Sequence, residues 1–240
     1  LRRRLRLWLQ RLRHAGPERL RALVDGRASL LDLLPWLGED GVVLEWLECR
    51  AALLAAPMAR FRAAVQAAAG PGPLFGRDVF APSIALLGGQ RYRTWEQHTD
   101  FLTGGSSYGG VVGWATAIPS VASTWAPALA AVIAGLHQSE ALALVYRVFG
   151  VDDLGLPEHL PVAEAAHLPL AELFEREVQR LVAGATGQVP LYPPVTAHGD
   201  PALVTRLCQA VAASGCHGAM LGLDPDQPEA LKAVARYLGA

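Results

Sequence analysis

The chain has 240 residues, 52% of them hydrophobic and 18% charged, with a formal net charge of −1. That length suits one parallel α/β barrel or two small domains, and the apolar content excludes a disordered chain. A charge so near zero provides no global field to draw nucleic acid or an anionic membrane, so neither is expected as a partner.

The chain opens on Leu1 in a helical pattern, as a piece cut from a longer protein would. Residues 1–27 hold nine arginines against Glu18 and Asp25, with Leu1, Leu5, Trp8 and Leu12 recurring at helical spacing. This predicts an amphipathic helix over 1–24, solvated on its arginine face, and a second over 28–36 after Asp25-Gly26. No apolar core follows the arginines, so no secretory leader is expected. A longer helix is expected from about Val42 to Ala69, kinked or divided at Pro57 and ended by Gly70-Pro71-Gly72.

A strand over 74–80, a short polar helix near 94–98, a strand over 100–106 and the glycine-rich loop 104–113 come next. No Asp, Glu, Lys or Arg occurs from Phe101 to Ser139. Gly104, Gly105, Gly109, Gly110, Pro119 and Pro127 interrupt that stretch, so it reads as strand, loop and core-facing helix rather than a membrane span. Ala126–Leu136 reads as helix, and Ala141–Phe149 fits either helix or strand. Residues 151–169, with three prolines, read as a long loop, followed by a helix from Leu170 to Ala183.

The ending alternates most clearly. A strand over 189–195 leads through His198-Gly199-Asp200 to a helix that Asp200 caps and Pro201 starts; Gly215 stops it. A strand over 217–223, a loop over 224–228 and a helix over 229–238 complete the chain. Such alternation implies parallel pairing. The expected fold is therefore a TIM-type (β/α)₈ barrel, represented by its C-terminal half. Residues 1–70 would form a helical segment on its exterior, and residues 71–240 the closing β/α units.

Functional groups of such barrels gather at the C-terminal ends of the strands. Asp78 and Asp224, on different strands, are the candidate catalytic pair, because glycoside hydrolysis takes two carboxylates across one cleft. Ser106, Tyr108, His198 and Trp114 are the candidate substrate-binding groups. Each has a plainer role open to it: Asp224 before Pro225 can cap its turn, and Trp114 can fill the core. The glycines at 104–110 lack nucleotide-binding spacing, and no nucleophile elbow is present. Cys49, Cys208 and Cys216 form no CxxC pair and stand at no zinc-ligand spacing. No metal or cofactor is expected, and the thiols fit a reducing, cytoplasmic compartment.

Gly76-Arg77-Asp78-Val79-Phe80-Ala81-Pro82-Ser83, Gly89-Gln90-x-Tyr92, Asp100-Phe101 and Ser107-Tyr108 stand in order along the chain. Pro190-Leu191-Tyr192-Pro193 and Gly215-x-x-Gly218-Ala219-Met220-Leu221 follow them. Through these segments, residues 45–240 resemble a group of bacterial glycoside-hydrolase-like barrels. The resemblance implies a (β/α)₈ barrel acting on an oligosaccharide or other small-molecule ligand by hydrolysis. Two departures stand out. The acidic residue that such relatives carry near their fourth strand has no counterpart here, and Thr103-Gly104-Gly105-Ser106 replaces a Lys-Pro-Met-type stretch. A non-catalytic carbohydrate-binding barrel is the alternative. A lyase or isomerase would want a lysine at the mouth, whereas Lys232 lies on the last helix.

Overall fold

A computed structural model describes residues 1–14, 17–28, 32, 41–70, 72–104, 113–162, 167–197, 200–223 and 226–239. Two compact units divide the chain. The first comprises Leu1–Cys49 and Ile118–Pro169, the second Arg50–Ala117 and Leu170–Ala240.

The first unit is helical. Helices α1 (Arg2–His14) and α2 (Pro17–Val24) occupy the segment where arginines alternate with leucines. Helix α3 (Val42–Ala69) begins in this unit and runs unbroken through Pro57, so the expected division does not occur. Helices α6 (Ala117–Val132) and α7 (Gln138–Val148) fill the uncharged stretch and the ambiguous segment after it. The ambiguity at 141–149 resolves to helix because His137 and Glu140 form a reciprocal capping box at its start. Buried Leu20 and Leu23 of α2 pack toward α7, which buries Leu142 and Val145. Arg21 of α2 holds Glu140 through two nitrogens and also donates to the Gly135 carbonyl. The expected helix over 28–36 falls almost wholly outside the described residues. No helix is long and apolar enough to cross a membrane among the described residues.

The second unit holds all the described strands. β1 (Gly76–Val79), β2 (Phe101–Gly104) and β3 (Leu191–Tyr192) form a parallel sheet in that order, and β4 (Pro194–Ala197) pairs in parallel with β5 (Met220–Leu223). The register aligns Gly76 with Phe101, Asp78 with Thr103, and Thr103 with Tyr192. Pro193 separates β3 from β4, since proline has no N–H to give a ladder. Its carbonyl still accepts from Met220 N at 3.0 Å. Between β1 and β2 lie two single-turn helices, α4 (Pro82–Ala85) and α5 (Tyr92–Trp95), and a 3₁₀ turn at Glu96–His98.

Helices α8 (Leu170–Gly184), α9 (Pro201–Ser214) and α10 (Pro228–Leu238) pack in series, α9 against both others. Asp200 caps α9 by accepting from Ala202 N at 2.9 Å, Pro201 occupies the first turn, and Gly215 ends the helix at φ 85°. Phe174, Leu181, Leu207 and Val211 are buried along these helices.

These elements correct the expected fold. A (β/α)₈ barrel needs eight strands closed into a ring. The described residues form five short strands in two separate small sheets, about 62% of them are helical, and no closed barrel exists among them. The β-α alternation of the ending is real, but alternation is a local pattern and ring closure is not.

Candidate binding cleft

Successive strand residues face opposite sides of a sheet, so the register sorts side chains onto two faces. Gly76 and Asp78, Phe101 and Thr103, and Tyr192 share one face. Arg77, Val79, Leu102, Gly104 and Leu191 share the other. The second face is largely interior: Val79, Leu102 and Leu191 are buried. The first face opens into a cleft of about 560 Å³, walled also by Arg77 and by Ala219 and Met220 at the start of β5.

Two glycines shape its aromatic floor. A Cβ on Gly76 would lie 2.0–2.5 Å from three ring atoms of Phe101, so the ring rests directly on the β1 backbone. Gly218, at φ 156°, comes so near Tyr192 that a Cβ there would touch its ring at 3.4 Å. Between them the Phe101 and Tyr192 rings meet edge to face, with centroids 5.9 Å apart and an interplanar angle of 74°. Thr103, one strand along from Asp78, donates its hydroxyl to the Met220 sulfur at 2.8 Å.

Asp78 is exposed and has no hydrogen bond or ion pair among the described residues. Its neighbour Arg77 points to the other face, where its guanidinium lies 5.5 Å from the centroid of the Trp95 ring. Asp78 is thus the acidic side chain that the strand alternation turns toward the cleft, with Arg77 beside it in the lining.

The other acidic groups of this unit hold structure together. Asp100 accepts from Phe75 N at 2.8 Å and pairs with Arg62, fixing the entry to both β1 and β2. Glu96, 3% exposed, accepts from Thr186 N, Thr186 Oγ1 and Gly187 N. Glu177 is fully buried, accepts from Ser83 N at 2.8 Å and pairs with Arg180 at 2.7 Å. Burial pushes its carboxyl above the usual range, against the pull of Ser83 and Arg180. Phe80, at the exit of β1, is clamped through its backbone: its N–H donates to Gln90 and its carbonyl accepts from the Tyr92 hydroxyl at 2.8 Å. Burial, with the nearby Glu177 charge, raises the Tyr92 phenol well above its ordinary value.

Of the residues singled out from the sequence, Asp78 lines the cleft. Trp114 is 3% exposed and does not line it; a Cβ on Gly104 would lie 2.8 Å from its ring, and its indole N–H has no partner among the described residues. Ser106, Tyr108, His198 and Asp224 lie outside the described residues. Phe101, Thr103, Tyr192 and Met220 were not singled out, although Phe101, Tyr192 and Met220 stand inside the quoted segments. The signal that joins them is period-2 facing across three strands, which needs the register. Among the described residues no group of three or more His, Cys, Asp or Glu side chains is placed to hold a metal ion.

Comparison with protein-family models, curated proteins and solved structures finds no match to this chain.

Proposed function

We propose that this protein binds carbohydrate in the cleft over β1–β3. The observation that carries the reading is a single sheet face presenting two aromatic surfaces, Phe101 and Tyr192, beside an unpaired carboxylate, Asp78. Saccharides have apolar C–H faces that pack on aromatic rings and hydroxyls that donate to a carboxylate. Sites that take small ligands combine such apolar surface with a few polar anchors. Glycoside hydrolysis takes two carboxylates about 5–9.5 Å apart, and Asp78 is the one carboxylate lining the cleft among the described residues. Binding is the reading this lining supports.

The test is titration of the full chain with a panel of oligosaccharides, followed by calorimetry and by intrinsic fluorescence. At least one oligosaccharide is expected to bind, Tyr192→Ala and Asp78→Asn to weaken it, and a reducing-end assay to show no cleavage. If no saccharide binds, or if both variants bind as the parent does, the reading falls. Cleavage abolished by Asp78→Asn would replace it with hydrolysis.

A further inference from the structure

We infer that helix α1 (Arg2–His14) is a docking surface for an anionic lipid bilayer, lying along the bilayer rather than crossing it. The inference stands apart from the cleft and from the carbohydrate reading.

Charge is the first observation. Residues 1–27 hold nine arginines against two acidic residues, whereas the whole chain carries a formal −1. The near-zero total, from which no membrane partner was expected, therefore conceals a strongly basic segment and an acidic remainder. Salt screens exposed charges beyond about 8 Å at physiological strength, so a surface responds to the arginines near it rather than to the sum over the chain. Helix α1 itself contains no Asp or Glu. Arg2, Arg3, Arg6 and Arg13 are exposed and have no hydrogen bond or ion pair among the described residues. Arg4 donates to both carboxylate oxygens of Glu45 at 2.7 Å, which ties α1 to the start of α3.

The second observation is an apolar stripe left uncovered. At 3.6 residues per turn, Leu5, Trp8 and Leu9 share an arc of about 100°, and Arg2, Arg3, Arg6 and Arg13 occupy the arc beyond Leu9. Such a stripe ordinarily faces a core. In α2 it does, since Leu20 and Leu23 are buried. In α1 no described side chain is buried: Leu5 and Trp8 are half-buried, and Leu7 and Leu9 are 45% and 48% exposed. Leu44, next to Glu45 in sequence, is exposed as well. Among the described residues α1 packs extensively against no other helix or strand.

The two observations together select the occupant. A second copy docked through the stripe would bring two rows of arginines alongside one another, and like charges oppose that. A nucleic acid backbone takes the arginines but has no apolar layer for Leu5 and Leu9. An anionic bilayer surface offers both, phosphates for the guanidinium groups and the acyl boundary for the leucines. Long arginine side chains reach up to the headgroups while their stems lie against the apolar layer.

The experiment is co-sedimentation of the full chain with two kinds of vesicle, phosphatidylcholine alone and phosphatidylcholine with phosphatidylserine at about three to one. Binding to the serine-containing vesicles is expected to be at least tenfold stronger, and to weaken as salt is raised. Replacing Arg2, Arg3, Arg6 and Arg13 together by Gln is expected to remove the preference. Leu9→Gln, which leaves the charge unchanged, is expected to weaken binding at least threefold. All five side chains are exposed, so an unchanged thermal midpoint is expected in both variants and checks the fold. Equal binding to the two vesicles, binding of neither by a folded chain, or a preference that survives the fourfold arginine replacement overturns the inference. So does a DNA oligonucleotide that binds more tightly than the vesicles and is indifferent to Leu9→Gln, which would assign the helix to nucleic acid instead.

Discussion

Gly76→Ala tests how the cleft floor is built. The new methyl would lie 2.0–2.5 Å from three atoms of the Phe101 ring. Carbon atoms rest at about 3.5–4.0 Å, so the ring has to move by roughly 1.5 Å. In a closed core such overpacking costs about 1–3 kcal/mol. Phe101 is only half-buried and borders an open cleft, so the ring has somewhere to go. The strand position needs no left-handed backbone, and alanine returns about 0.4–1 kcal/mol by restricting the unfolded chain. The two effects leave a net loss of less than about 2 kcal/mol. The displaced ring enters the space a ligand would use, so affinity for the tightest-binding saccharide should fall at least tenfold.

Urea denaturation and calorimetric titration read the two quantities separately. A double-mutant cycle with Phe101→Ala isolates the contact: coupling of at least about 0.5 kcal/mol is expected, because alanine at 101 removes the clash. Parent-like affinity in a folded Gly76→Ala protein would refute the account of the floor. A stability loss beyond about 3 kcal/mol would show that the ring is locked rather than free to swing into the cleft.

Asp100→Ala leaves Phe75 N and Arg62 without their partner and should cost about 2–4 kcal/mol by chemical denaturation, since hydrogen bonds to a charged group contribute about 1.5–3 kcal/mol each and these are partly exposed. Glu177 sets a pH dependence. Its carboxyl is raised in the folded chain above an ordinary 4.5, so between the two values the native state holds more proton than the unfolded one. Stability then falls as pH rises from 4.5 through the folded value. Relative to Glu177→Gln, the parent should therefore lose stability over that interval, and denaturation series at pH 4 to 7 on both proteins would show the difference or its absence. Thiol labelling should distinguish the cysteines: Cys49 is exposed, whereas Cys208 is buried and its thiol is pushed up to about 11. Cys49 is expected to react in the native chain and Cys208 only after unfolding.

Much of the local structure was legible. Helix α9 shows why: Asp200, Pro201 and Gly215 each act within a turn of where they stand, and a cap or a left-handed stop is recognisable from a few residues. Closure of a sheet depends on partners far apart in sequence, and the barrel expectation extended a local alternation into a global ring. Trp114 illustrates the same limit at one side chain. An aromatic residue soon after a strand end resembles a sugar platform, yet the missing Cβ of Gly104 leaves room that the indole occupies, and the ring is buried. Nothing within a few residues of Trp114 reveals that Gly104 lies against it.

Acidic residues make the contrast sharper. Asp100, Glu96 and Glu177 have the composition of a catalytic cluster when read as residue types. Each accepts from a backbone N–H contributed by another segment, such as Ser83 for Glu177 and Thr186 for Glu96. Each is consumed in joining two distant stretches of chain, a role in which a carboxylate is valuable because it can accept several bonds at once. Asp78 differs in having no such partner, and it stands on the face where two glycines expose aromatic rings. A candidate carboxylate in this fold is thus identified by what it lacks as much as by where it lies. The free acid is the one whose own strand turns its neighbouring cation to the opposite face, which is why Arg77 and Asp78, adjacent in sequence, do not neutralise one another.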